Sequence, residues 1–519
     1  MTPPGRRVCG AVVLALAGLT TPAWGQTPGG PFAGLFGAGA RTTQGQTLDL
    51  RGALFGTYQQ VNVPDDQAAN IDPRFQKSAA IGGTTGTLTY GYRRMTNNGP
   101  GASSSFVVNG NGSIADYSVN PDLPTYSFGL GVGLSKATRT TSLNSTVGGS
   151  YSSTYIAPFQ GGIGQFDAGT NIAATGGGGT TATTPQPLYS IGPNLPTYGA
   201  TAGTTLITTL TRKITFNASG SAGYASTYSF ASFQPVNTFD AAAPTTTGGA
   251  LAATTEPIIT LRGSTGLTDR LTRTSTLSIQ GDWTDSRLVN GGPGDLRTLG
   301  ARAIYSQQVT RDLGFHAGYG RYVTDYSNAP STTSENIDVG VDYNRGGTFA
   351  LGRRTTVSFA TSTSFVTIRD RVTGNSDTRF RVNGNAGINR RLGRTWVASG
   401  AYTRALGFLA GFTDPILSDA VTGSIGGQVT SRASWNSSAG WTRNQVGFNN
   451  DQIFGGYSAI TIFNVGLFRN LGMYAQYAYF GYRLPPDAAA ANILSTFSRQ
   501  AASVGLNLWV PIINGRSRS

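Results

Sequence analysis

The chain holds one cysteine, one histidine and three methionines in 519 residues. Glutamate occurs only at Glu256 and Glu335, and lysine only at Lys77, Lys136 and Lys213. A single cysteine excludes a disulfide scaffold and a cysteine-ligated zinc site. So little Glu and Lys excludes coiled coils and charged surface helices, which need both at helical spacing. Charged residues are 12% of the chain, about half of the roughly 25% usual in soluble proteins. No apolar run reaches the 20 or so residues that a membrane-spanning helix requires. What is plentiful is glycine, at 73 residues, with 22 tyrosines, 25 phenylalanines and 6 tryptophans. Aromatics at this density argue against a disordered chain. Gly, Thr, Ser and aromatics together make a β composition.

The N-terminus reads as a targeting segment. Arg6 and Arg7 precede an apolar run from Val8 to Leu19, and Ala23-Trp24-Gly25 offers a small-x-small cleavage site. This is the pattern of a secretory signal peptide over 1–25. Residues flanking Arg6-Arg7 do not support twin-arginine export, and no small-residue box precedes Cys9 to mark a lipoprotein. Cleavage after Gly25 leaves a mature chain without cysteine.

From Thr47 onward, hydrophobicity alternates with period two. Tyr126, Phe128, Leu130, Val132 and Leu134 share one face, as do Ile214, Phe216, Ala218, Gly220, Ala222 and Tyr224. The same holds for Phe380, Val382, Gly384, Ala386 and Ile388, whose opposite face is Arg379, Arg381, Asn383 and Asn385. Each segment has about ten residues, the length of a tilted strand that crosses a bilayer core. Alternation alone does not separate a soluble sandwich from a membrane barrel, but the connections do. Short basic turns recur near Lys136, Arg212, Arg270, Arg311, Arg353, Arg391, Arg432 and Arg469. From Arg270 their separations are 41, 42, 38, 41 and 37 residues, one hairpin plus one loop each. Between them lie long Gly-, Thr- and Pro-rich connections, Pro158–Gly203 and Ser229–Glu256 foremost. Short turns at one end and long loops at the other is the asymmetry of outer-membrane barrels. The expected fold is all-β, one antiparallel transmembrane barrel of 18–20 strands over 47–510. A segment at 26–46, flexible or packed in the lumen, precedes it, and a tail at 511–519 follows.

The chain resembles porin-like bacterial outer-membrane β-barrels. Val504-Gly505-Leu506-Asn507-Leu508-Trp509-Val510 is similar to the C-terminal strand signal read by the barrel-assembly machinery, although nine residues follow it. The resemblance implies a place in the outer membrane of a Gram-negative bacterium, with that machinery, lipid and lipopolysaccharide as partners. It implies a channel for small hydrophilic solutes or the outer-membrane element of an export system passing a polymer. The alternative is a non-conducting adhesin or scaffold whose long loops bind a partner.

Formal net charge is +14, or +12 without Arg6 and Arg7. That balance often marks nucleic-acid binding, but an export signal and strand patterning oppose it. Basic residues gather at the short turns, where they would face an anionic leaflet. Strand parity assigns a lumen-facing set: Asp49, Arg51, Arg262, Asp282, Arg302, Asp338, Asp342, Arg379, Arg381 and Arg499. The outward alternative costs roughly 2–4 kcal/mol per charge at the bilayer midplane. Six arginines against four aspartates imply a weak anion preference, unless the charges pair along the wall. His316 reads as a solvated lumen residue without a nucleophile motif, so no enzyme, cofactor or metal is expected. Gly129, Gly131 and Gly133 alternate with large apolar residues on a strand, unlike a phosphate loop, and leave a bare inner stripe where another segment could pack.

Overall fold

The computed structural model describes residues 45–62, 78–95, 103–117, 120–153, 197–225, 257–289, 295–310, 313–326, 331–344, 354–369, 376–407, 416–446, 453–468, 470–483 and 496–514. The first ten strands are β1 (Gly45–Asn62), β2 (Ala79–Met95), β3 (Ser103–Tyr117), β4 (Asn120–Ala137), β5 (Thr141–Ser152), β6 (Thr197–Thr209), β7 (Ile214–Ala225), β8 (Ile258–Asp269), β9 (Ser275–Leu288) and β10 (Leu296–Gln308). The second ten are β11 (Leu313–Tyr326), β12 (Thr332–Asn344), β13 (Thr355–Arg369), β14 (Ser376–Leu392), β15 (Trp396–Gly407), β16 (Ile416–Thr430), β17 (Ala433–Val446), β18 (Ile453–Gly466), β19 (Leu471–Arg483) and β20 (Thr496–Asn514).

Each strand pairs antiparallel with its neighbour in sequence, and β1 pairs with both β2 and β20, so the 20-stranded sheet closes on itself. Closure removes the edges at which an open sheet exposes unpaired N–H and C=O groups. In hydrocarbon each such group would cost several kcal/mol. Twenty strands about 4.8 Å apart and tilted about 40° make a circular ring roughly 40 Å across.

The even strand number puts the start of β1 and the end of β20 at one end. That end also carries the connections 138–140, 210–213, 270–274, 393–395 and 431–432, while 63–78, 153–196, 226–257 and 484–495 join strands at the other. Lys136, Arg139, Arg212, Lys213, Arg270, Arg273, Arg354, Arg390, Arg391, Arg394 and Arg432 crowd the short-turn end, with Asp269 as the described acid among them. Two boundaries differ from the sequence reading. Thr197–Gly203 belongs to β6, not to the preceding loop, because after Tyr198 its outward positions are the small Ala200 and Ala202, too little alternation for a strand signal. At the other terminus, β20 continues through Pro511 to Asn514.

The outer face is apolar. Val339 and Val504, for example, are 61% and 62% exposed. Two rings of aromatics bound this band. Near the long-connection end, Phe128 stacks on Tyr151, Tyr198 on Tyr224, and Tyr457 on Tyr479, at 5.1, 5.9 and 5.6 Å between centroids. Near the short-turn end, Tyr90 meets Phe106 at 6.5 Å and Trp396 meets Trp435 at 5.6 Å, both edge to face. Phe216 and Tyr224 mark both rings on β7, eight residues or about 26 Å of strand apart, which at a tilt of about 40° is roughly 20 Å of height. Aromatic girdles on an apolar belt of that height are the surface of a lipid-immersed barrel.

Parity then makes a testable split. Cysteines placed at Phe216 and Val339 should react with lipid-soluble reagents alone, and those at Asn217 and Asp338 with aqueous ones. Equal labelling by both reagents at all four positions would refute the face assignment.

Candidate channel lumen

On the inner wall, side chains of one strand lie across glycines of the next. A Cβ on Gly300 would fall 2.1 Å from the Tyr322 ring, one on Gly83 2.5 Å from the Phe55 ring, and one on Gly505 2.5 Å from the Tyr474 ring. These aromatics therefore lie flat along the wall instead of standing into the lumen. Gly129 and Gly131 work the same way: their missing Cβ positions are 2.7 and 2.5 Å from Oδ1 of Asn111 and Asn109. At those two positions the stripe is filled by neighbouring amides, not left bare for a second segment. Of the segment 26–46, expected to be flexible or packed in the lumen, residues 26–44 lie outside the described residues, as does the stretch 158–196 of the long connection.

Among the sequence-derived lumen residues, Asp49 and Arg51 alternate with the outward Leu50 and Leu54 on β1. Arg262 is in register with Ser221 and Thr284, Asp282 with Ser264 and Gly300, Arg302 with Gln280 and Gly320, and Arg381 with Ser364. Asp338, Asp342 and Arg379 sit opposite Gly318, Gly314 and Val366. The side chains of these last three lie outside the described set.

Two arginines are held within the wall. Arg499 is 1% exposed, and its Nε and a terminal NH2 donate to Gln59 Oε1 at 3.1 and 2.5 Å. Arg302 is 8% exposed and donates to Gln280 Oε1 at 2.6 Å, while Gln280 Nε2 donates to Asp282 Oδ1 at 2.8 Å. A glutamine thus relays Arg302 to Asp282 along the wall and disperses part of both charges. Arg51, Arg262 and Arg381 remain half-buried.

His316 differs from the solvated residue read from the sequence. It is 8% exposed, over Gly340, with Nε2 3.1 Å from the Thr361 backbone oxygen. A carbonyl can only accept, so Nε2 carries the proton in that bond. The reason lies in the neighbouring ladder, where β12 and β13 shift register between Glu335 and Tyr343. Carbonyls in that stretch are met by side chains instead: Thr361 by His316, and Ile337 by the Thr363 hydroxyl.

Parity reasoning missed the outward charges at the long-connection rim. Arg287 makes a two-bond fork to Asp285 at 2.8 and 2.7 Å, and Arg404 Nε lies 3.7 Å from Asp419 Oδ1. Their position at strand ends, beyond the apolar belt, is the signal that would have found them.

No family model and no curated protein matches the chain. Among solved structures it is similar to the siderophore receptor PirA from Pseudomonas aeruginosa, at 13% identity over 91% of this chain and 81% of that one, with a TM-score of 0.42. OpdL from Pseudomonas aeruginosa is 10% identical over 90% and 99% of the two chains, with a TM-score of 0.32. OccAB4 from Acinetobacter baumannii is 8% identical over 91% and 100%, with a TM-score of 0.34. These neighbours are outer-membrane β-barrel proteins. The fold of this chain is carried by its own closed ladder.

Proposed function

We propose that this protein is an outer-membrane channel that passes small hydrophilic solutes with a weak preference for anions. The observation that carries the reading is the closed 20-strand wall, apolar outside and polar inside. A ring roughly 40 Å across is wider than its wall side chains can fill, and barrels of 16–18 strands already enclose water. Aromatics lying flat over Gly83, Gly300 and Gly505 keep bulk out of that space. The sign of the preference follows from the described lumen charges, Arg51, Arg262, Arg302, Arg381 and Arg499 against Asp49 and Asp282. The signal-peptide pattern and the lipid-facing belt support a barrel seated in the outer membrane with its short turns inward. Transport, not catalysis, is the activity this arrangement supports.

Planar-bilayer recording tests it. Purified protein should insert in discrete conductance steps, and in a KCl gradient the reversal potential should lean modestly toward chloride. A protein that folds but stays electrically silent would transfer the function to the long connections 153–196 and 226–257, as a surface scaffold.

A further inference from the structure

One arc of the outer wall carries charge that conduction does not use. At the long-connection end of β15 to β19, outward positions Arg404, Asp419, Arg443, Gly455 and Arg483 stand in register, strand after strand. Asp419 is occupied by the Arg404 guanidinium at 3.7 Å and by the Tyr402 hydroxyl, which donates to Oδ1 at 2.7 Å. Arg443 and Arg483 are exposed, and among the described residues neither has an acid partner. Their backbones are two strands, about 9.6 Å, apart, with the bare Gly455 between them. Two guanidinium forks over a glycine gap can close on one phosphate from both sides.

The next outward row beneath is Tyr402, Val421, Trp441, Tyr457 and Gly481, again in register. Tyr457 spreads over Gly481 at 3.1–3.3 Å from its missing Cβ position. Lower on the wall, the outer face from β18 to β2 holds a shallow apolar groove of about 620 Å³, floored by Gly56, Ala80, Ala475 and Ala502 between Tyr58 and Tyr477. Tyr477 lies six residues below Arg483 on one strand, about 20 Å along it. Cationic rim, aromatic row and apolar groove follow one another as phosphate, interface and acyl chain do in a lipid.

We propose that this arc binds a phosphorylated membrane lipid, its phosphate between Arg443 and Arg483 and an acyl chain in the groove below. The proposal rests on the reading that the long-connection end faces the outer leaflet of the outer membrane.

The full-length mature protein, refolded in neutral detergent, should retain diphosphoryl lipid A in native mass spectrometry. The Arg443→Gln/Arg483→Gln double variant should weaken that retention about tenfold, the scale of two lost solvent-exposed ion pairs. Ala475→Trp, which fills the groove without touching the arginines, should weaken it too. Arg287→Gln, whose arginine is already paired with Asp285, should leave it within about twofold. Each variant is first checked for heat-modifiable migration, which reports the barrel independently of lipid. Unchanged retention in the folded double variant overturns the proposal. Equal competition by inorganic phosphate at the lipid's concentration also overturns it, since the site would then serve a free anion. Loss of heat-modifiability in the parent protein itself would instead refute the barrel reading.

Discussion

A Gly505→Ala substitution is expected to strip the folded protein of much of its resistance to SDS. Unboiled parent protein should migrate as a compact species and convert to the slower form only on heating, because a closed sheet has no edge from which to unzip. The one ladder that joins the two ends of the chain is β1 with β20. Gly505 sits in it, and an added Cβ would fall 2.5 Å from the Leu54 carbonyl oxygen and 2.5 Å from the Tyr474 ring. The ring could swing away, but the carbonyl belongs to the paired strand, so the two backbones must part. Overpacking of this kind costs about 1–3 kcal/mol, and more where backbone has to move. The cost falls where side chains also stitch the seam: Thr57 donates to Ser503 at 2.8 Å, Gln500 to Gln60 at 2.7 Å, and Arg499 to Gln59. Gly56→Ala is the matched control, one strand away and paired with Val504, with nothing within 4 Å of its Cβ position. The conversion temperature of the Gly505 variant should drop well below that of the parent, with the Gly56 variant close to the parent. Equal temperatures for all three would deny the seam this role. Identical migration of the parent with and without boiling, together with helical circular dichroism, would deny the barrel itself.

Much of this architecture is legible in the sequence because a membrane barrel writes its two faces into adjacent residues. Tyr126, Phe128 and Leu130 must meet lipid while Ser127, Gly129 and Gly131 do not, so period two survives in every strand that crosses the belt. The connections are legible for a similar reason: lysine and arginine settle where strands leave the belt, and they mark eight turns of one end. What cannot be read is register between strands distant in sequence. Gln59 and Arg499 are 440 residues apart, and nothing local in either announces the other. The pairing of Tyr322 with Gly300 is equally silent, since alternation places both inward but not side by side. His316 was misjudged for the same reason. Its parity is right, but its burial comes from the irregular neighbouring β12–β13 ladder, through Thr361 two strands away. The cost of a charge in lipid carries a bias of its own: it favours inward assignments, and so passes over Arg404, Asp419, Arg443 and Arg483, which share the outward parity but stand above the belt.

Reversing two lumen arginines should reverse the ion preference of the channel. Arg262 and Arg381 suit this test because they are half-buried, unlike Arg499 and Arg302, which are built into the wall by Gln59 and Gln280. Removing either of those two would leave buried acceptors without a donor, at about 1–3 kcal/mol each, and would confuse selectivity with stability. Arg262 lies among Ser221, Ser264 and Thr284, hydroxyl neighbours that tolerate a carboxylate. Arg381 faces the lumen beside Asn383 on β14, and its guanidinium reaches the Phe380 carbonyl at a marginal 3.4 Å. Glutamate at both positions turns the described lumen charge from five arginines and two aspartates into three arginines and four acids. In a wide aqueous pore such charges act through a screened potential, with a Debye length of about 10 Å at 0.1 M salt. The change should therefore be largest in dilute KCl and fade toward 1 M, where the screening length is about 3 Å. In a tenfold gradient at low salt, the reversal potential of the double variant should cross zero, from chloride-leaning to potassium-leaning, at nearly unchanged conductance. A preference that keeps its sign and size in the double variant would mean that charges elsewhere set it. A collapse of conductance at unchanged heat-modifiability would mean that these side chains narrow the path instead of setting its potential.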